Sequence, residues 1–170
     1  FTDENNPPLT EGIMTFMDVA WPNQEPRRLY ITMLGNTARA RQHLLLTTGH
    51  CGHSYKGLHF RGLVDQGQAG EYLMISEYDG NNDAPLLKDV TVNDIVEHDR
   101  KVGLVAGVAY HGDEKCNNGS FGIFLRDEPG KAEASGFGQV ISGLEILKEV
   151  AKSNARANIK IVGCGIVLVR

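Results

Sequence analysis

The 170 residues weigh 18.6 kDa, the size of one domain, and folding at that length can bury roughly 70% of the unfolded surface without a metal or disulfide staple. A composition of 41% hydrophobic and 22% charged residues excludes a disordered chain, and a net charge of −4 with a pI near 5.9 argues against a dedicated nucleic-acid or anionic-membrane binder. Glycine is in excess, 20 of 170 residues, which points to many turns and few long helices.

Residues 1–13 are polar, carry Pro7 and Pro8, and read as an N-terminal arm. Period-2 patterning then predicts a strand over Met14 to Ala20 and another over Arg28 to Leu34, joined by the turn-rich Pro22-Asn23-Gln24-Glu25-Pro26. A helix capped by Asn36 or Thr37 runs through Leu44, Leu45 and Leu46 and stops at Gly49. Further strands are predicted at Leu58 to Val64, Glu71 to Ser76, Gly103 to Ala109, Phe121 to Leu125 and Phe137 to Ile141. Ser142 and Glu145 form a capping-box pattern ahead of Leu144, Leu147, Val150 and Ala151 at helical spacing, with Asn154 ending the helix. A last strand spans Ile159 to Val169. About eight strands, two helices and glycine-rich turns predict a mainly β fold, a closed eight-stranded antiparallel barrel capped by two helices.

Searches for catalytic patterns return little. The sequence holds no phosphate-binding loop, nucleophile elbow, zinc-protease helix or dinucleotide fingerprint, so no cofactor is expected. His50, Cys51, His53 and His59 cluster, but their spacing lacks a second matching ligand pair, so they read as a solvated loop and no metal is expected. His111, Asp113 and Ser120 have the types of a hydrolase triad without the elbow that would present the serine. Asn118-Gly119-Ser120 reads as a turn entering a strand. Cys51, Cys116 and Cys164 are odd in number and widely spaced, which excludes a complete disulfide framework. Free thiols point to an intracellular, reducing compartment. The chain opens on Phe1, so an organelle reached after presequence removal also fits. No apolar run approaches a membrane span.

Several pieces, in this order, resemble the cyclophilin family of peptidyl-prolyl isomerases. Phe16-Met17-Asp18-Val19 is similar to the Phe-Phe-Asp-Val of the family's first strand, and Tyr55-Lys56-Gly57 to its loop before the catalytic strand. Gln68-Ala69-Gly70-Glu71-Tyr72 is similar to Gln-Gly-Gly-Asp-Phe, Asn118-Gly119-Ser120-Phe121 to Asn-Gly-Ser-Gln, and Phe137-Gly138-Gln139-Val140 to Phe-Gly-Lys-Val. Ile159-Lys160-Ile161-Val162-Gly163-Cys164-Gly165 completes the resemblance, which spans residues 14–165 and implies an eight-stranded barrel with two helices.

The family's chemistry is to lower the ~18–20 kcal/mol barrier of an Xaa-Pro amide. An arginine donates hydrogen bonds to the twisted amide beside an apolar pocket for the proline ring, and losing one such donor typically costs ~10²–10³ in rate. Carried over residue by residue, the family's Phe-His-Arg falls on Phe60-Arg61-Gly62, so the arginine position is Gly62 and Arg61 sits one place early. In a regular strand that shift sends Arg61 to the opposite face, unless a bulge reorients it. Gln68 matches the groove glutamine, the pocket-floor phenylalanine falls on Ile123, and the groove histidine falls near Ala134. The groove tryptophan has no counterpart, since the one tryptophan, Trp21, lies in the first hairpin.

The resemblance therefore implies the fold with a degraded prolyl-isomerase site: Phe60, Gly62, Gln68, Ile123 and Ala134 form a vestigial peptide groove. The expected function is a non-catalytic scaffold or interaction subunit whose partners are other proteins, with no direct nucleic-acid contact. The alternatives are a weak isomerase using Arg61 and Gln68, and a module that binds proline-containing peptides without turnover. Where the family stops within a residue or two of Gly165, this chain continues as Ile166-Val167-Leu168-Val169-Arg170. That apolar extension, residues 166–170, is predicted to add to a sheet edge, on this barrel or on a partner.

Overall fold

The computed structural model describes residues 9–50, 52, 54–75, 96–107 and 120–168. Alternation in the first hairpin does what the pattern predicts. In β1 (Met14–Ala20) and β2 (Arg27–Met33), Met17, Val19, Leu29, Ile31 and Met33 all face inward and are at most 1% exposed. The remaining long-sheet strands are β3 (Phe60–Val64), β4 (Tyr72–Ile75), β6 (Leu104–Gly107), β7 (Phe121–Phe124), β9 (Gly136–Ser142) and β10 (Lys160–Ile166). They form one antiparallel sheet in the order β10-β1-β2-β9-β6-β7-β4-β3. A separate two-stranded piece joins β5 (His98–Asp99) to β8 (Ala132–Glu133).

The sheet curls but does not close, which corrects the expected closed barrel. Its edge strands β10 and β3 meet at a single bridge, His59 to Lys160, supported by Ile161 N–H donating to Leu58 O at 2.9 Å. No ladder follows, because β3 bulges between Phe60 and Gly62, just past the bridge, and a bulge bends the strand that carries it. The half-barrel is filled by a continuous apolar core to which both helices contribute.

Helix α1 (Ala38–Thr48) is capped by Thr37, whose Oγ1 accepts from Ala40 N–H at 3.1 Å, and it ends at Gly49 in the left-handed region. Asn36 has a different task. Its Oδ1 accepts from the N–H groups of Thr10 (2.6 Å) and Glu11 (3.0 Å), and Gly12 N–H donates to Met33 O. The last residues of the predicted arm are thus part of the folded body, and Thr10 is fully buried. Helix α2 (Leu144–Lys152) buries Leu147, Val150 and Ala151 of the predicted stripe together with Ile146, while Leu144 is only half-buried. The capping box is a misreading: Ser142 is the last residue of β9, paired with Tyr30, and the N-cap is Gly143 at φ 97° with no side-chain bond. A serine held in a ladder is extended and turned away from the helix it precedes.

The C-terminal extension pairs within the chain. Ile166 lies opposite Thr15, and Val167 N–H donates to Met14 O at 2.8 Å, so both prolong the β10–β1 ladder at the edge of the sheet. Leu168 is 84% exposed, and Val169 lies outside the described residues. Among the described residues no helix is long and apolar enough to cross a membrane.

Candidate functional site

The face to which the resemblance points is the outer surface of β3, β4, β7 and β6. Pairing fixes which residues share it. Phe60 opposes Ile75, Leu73 opposes Ile123, and all four are buried at 0–1% in the core cluster, so these positions face inward. Phe60 and Ile123 are therefore core residues and do not line an outer groove, which corrects their assignment to it. The outer row is Gly62, Met74, Gly122 and Ala106, each opposite the next.

The bulge decides where Arg61 goes. Between the Phe60–Ile75 and Gly62–Met74 pairs, β3 takes two steps while β4 takes one, and Arg61 is the inserted residue. Regular alternation would have put Gly62 inside. The bulge instead turns Gly62 outward and leaves Arg61 exposed beside it, on an edge strand. A Cβ built at Gly62 meets nothing within 4 Å, so the outer face there is open. Gln68 is exposed in the turn between β3 and β4, where its N–H donates to Asp65 O at 3.0 Å. Ala134 is exposed in the turn between β8 and β9.

The next outer row carries the aromatic surface that sequence reasoning missed. Phe124 packs with Leu104, Ala106, Leu34 and Tyr72 in a second apolar cluster, its ring 5.5 Å from that of Tyr72. Burial pushes the Tyr72 hydroxyl pKa up, with Asp65 and Glu133 acting in the same direction. Phe124 is only 4% exposed, and the Arg100 guanidinium sits 5.7 Å over its ring. Arg100 is itself held by Glu128 at 2.6 Å and Glu133 at 3.1 Å, which raises its pKa. The signal was present in Phe121-Gly122-Ile123-Phe124, where inward and outward positions alternate. Reading it required knowing which pair faced the core.

Other candidates separate. Cys51, His53, His111, Asp113, Cys116, Asn118 and Gly119 lie outside the described residues, so neither the triad nor the whole His/Cys cluster can be assembled. His59 Nδ1 lies 2.5 Å from Ala157 O. Ser120 is buried, and its hydroxyl has no hydrogen-bond partner among the described residues. Cys164 is half-buried, and burial raises its thiol pKa. Inside the sheet, His43 touches Thr15 Oγ1 and Tyr55 Oη through its two ring nitrogens, and burial lowers its pKa to about 3.

No family model matches the sequence, and no curated protein matches it. Structure is more informative: the chain is similar to the solved structure of the Mimivirus cyclophilin, with a TM-score of 0.63 over 96% of this chain and 92% of that one, at 20% identity. The fold is cyclophilin-like. Its outer row of Gly62, Met74, Gly122 and Ala106 includes, at Gly62, the position onto which the resemblance carries the arginine.

Proposed function

We propose that this chain is a cyclophilin-fold interaction subunit that does not turn over prolyl bonds. The observation that carries this reading is the outer row Gly62–Met74–Gly122–Ala106, which offers no side-chain hydrogen-bond donor. Prolyl catalysis needs a fixed donor aimed at the twisted amide. It also needs an open apolar pocket, and among the described residues the outer aromatic Phe124 is covered. Removing the donor leaves the packed core untouched, so the fold persists as a binding scaffold.

A second reading is favoured by one feature, the bulge that exposes Arg61 beside Gly62. On it, Arg61 donates to the prolyl amide and Gln68 holds the neighbouring carbonyl, giving a weak isomerase. A proline-peptide isomerisation assay on the purified chain separates the two. The scaffold reading expects no acceleration above background, and Arg61→Ala then changes nothing. Acceleration that falls ~10²–10³-fold in Arg61→Ala would establish the weak enzyme. Peptide binding without acceleration would identify a proline-peptide module.

A further inference from the structure

On a different part of the surface, an open cleft of roughly 800 Å³ runs between α2 and the β3–β4 turn. Its charge is opposite to that of the chain. The whole protein carries −4, yet among the described residues this cleft gathers Arg126, Lys148, Lys152 and Arg156 against one carboxylate, Glu71. Glu71 is already occupied: one oxygen accepts from Gly67 N–H and the other lies 3.7 Å from Arg126 Nε. The acidic residue Glu149 of α2 is likewise taken, by Arg27 at 2.5 Å. A concave surface lined by one sign of charge focuses the field and selects ligands of the other sign.

The cations are ordered. Lys148 and Lys152 are four apart on α2, so they stand on one helix face with Cβ atoms ~5–6 Å apart. Arg156 follows four residues later. Its Nη1 donates to Ala151 O at 2.9 Å and Ser153 O at 3.0 Å, which pins the guanidinium at the end of the helix. An extended peptide repeats its side chains on one face every two residues, about 6.6 Å. Carboxylates at alternate positions therefore match the cation row. Leu63, Leu125 and Ala151 line the same cleft and would receive the apolar residues between them. Single-stranded nucleic acid fits less well, because among the described residues no aromatic side chain on which a base could stack lines the cleft.

We propose that this cleft docks an extended acidic segment of a partner protein, with Asp or Glu alternating with apolar residues. This site is separate from the outer row that carries the function proposed above, so either can fail alone. The test is fluorescence anisotropy with the full chain and a labelled peptide of about ten residues in which Asp or Glu alternates with Leu or Ala. Binding should be at least ~10-fold weaker for the Asn/Gln version of the peptide, and should weaken steadily as salt rises from ~0.05 to ~0.5 M. Lys148→Glu/Lys152→Glu should weaken binding at least ~10-fold, while Lys101→Glu/Lys131→Glu, with the same change of net charge elsewhere, should leave it within ~2-fold. Both cleft lysines are exposed, so folding should survive, as circular dichroism will show. If the reversal variant does not fold, Lys148→Gln/Lys152→Gln and the salt series decide instead. Equal binding of the acidic and amide peptides, equal effects of the two reversal pairs, or tighter binding of an oligothymidine of the same length would overturn the proposal.

Discussion

Replacing Gly143 by alanine should destabilise the protein more than its size suggests. Gly143 turns the chain from β9 into α2 at φ 97°, and a Cβ there would lie 2.6 Å from Leu29 Cβ and 2.8 Å from Leu29 Cα. Leu29 cannot retreat: it is 1% exposed and sits in β2 opposite Met17. Two terms add. A non-glycine residue in the left-handed region costs ~1–2 kcal/mol, and overpacking against a fixed backbone costs about 1–3 kcal/mol. The sum, ~2–5 kcal/mol, is a large part of the 5–15 kcal/mol typical of a whole domain. At ~2–4 °C per kcal/mol for this size, Tm should fall by roughly 4–20 °C. Calorimetry or urea denaturation reads this directly. Two controls sharpen it. Gly62→Ala, with open space and an unstrained φ, should be neutral or stabilising by up to ~1 kcal/mol. Ser142→Ala should cost under ~0.5 kcal/mol, because that serine caps nothing. A Tm for Gly143→Ala within ~2 °C of wild type, or a cost near 1 kcal/mol for Ser142→Ala, would refute the described joint and restore the capping box.

Two further outcomes follow from the core and the arm. His43 is buried with a pKa near 3, against ~6.5 when unfolded, so below pH ~6.5 the unfolded chain takes up a proton that the folded chain refuses. Stability should therefore fall as pH drops from ~6.5 toward 3, by up to ~1.4 kcal/mol per unit from this group, and urea midpoints should lose that slope in His43→Gln; an unchanged slope would contradict the assignment. Asn36→Ala removes the acceptor for two arm N–H groups and should cost about 1–2 kcal/mol, with faster amide exchange at Thr10 and Glu11; unaltered exchange there would show that the arm is held by something else.

The difference between what could and could not be read from the sequence lies in the range of the interactions. Met17, Val19, Leu29, Ile31 and Met33 announce their strands because alternation is local, and Leu147, Val150 and Ala151 at helical spacing announce α2 for the same reason. Thr37 was legible as a cap because its partner, Ala40, is three residues away. Thr10 was not legible as a buried residue, because its partners Gly35 and Asn36 lie more than twenty residues on and hydropathy does not register a hydrogen bond. The candidate site belongs to the second kind. Whether Arg61 or Gly62 faces outward depends on β3 spending one more residue than β4 between two shared pairs, a quantity that neither strand carries alone. Alternation within Phe60-Arg61-Gly62 puts Gly62 inside; pairing puts it outside, beside Met74. The resemblance could name Gly62 as the position aligned with the family's arginine, but only the register could show that this position faces open space and not the core.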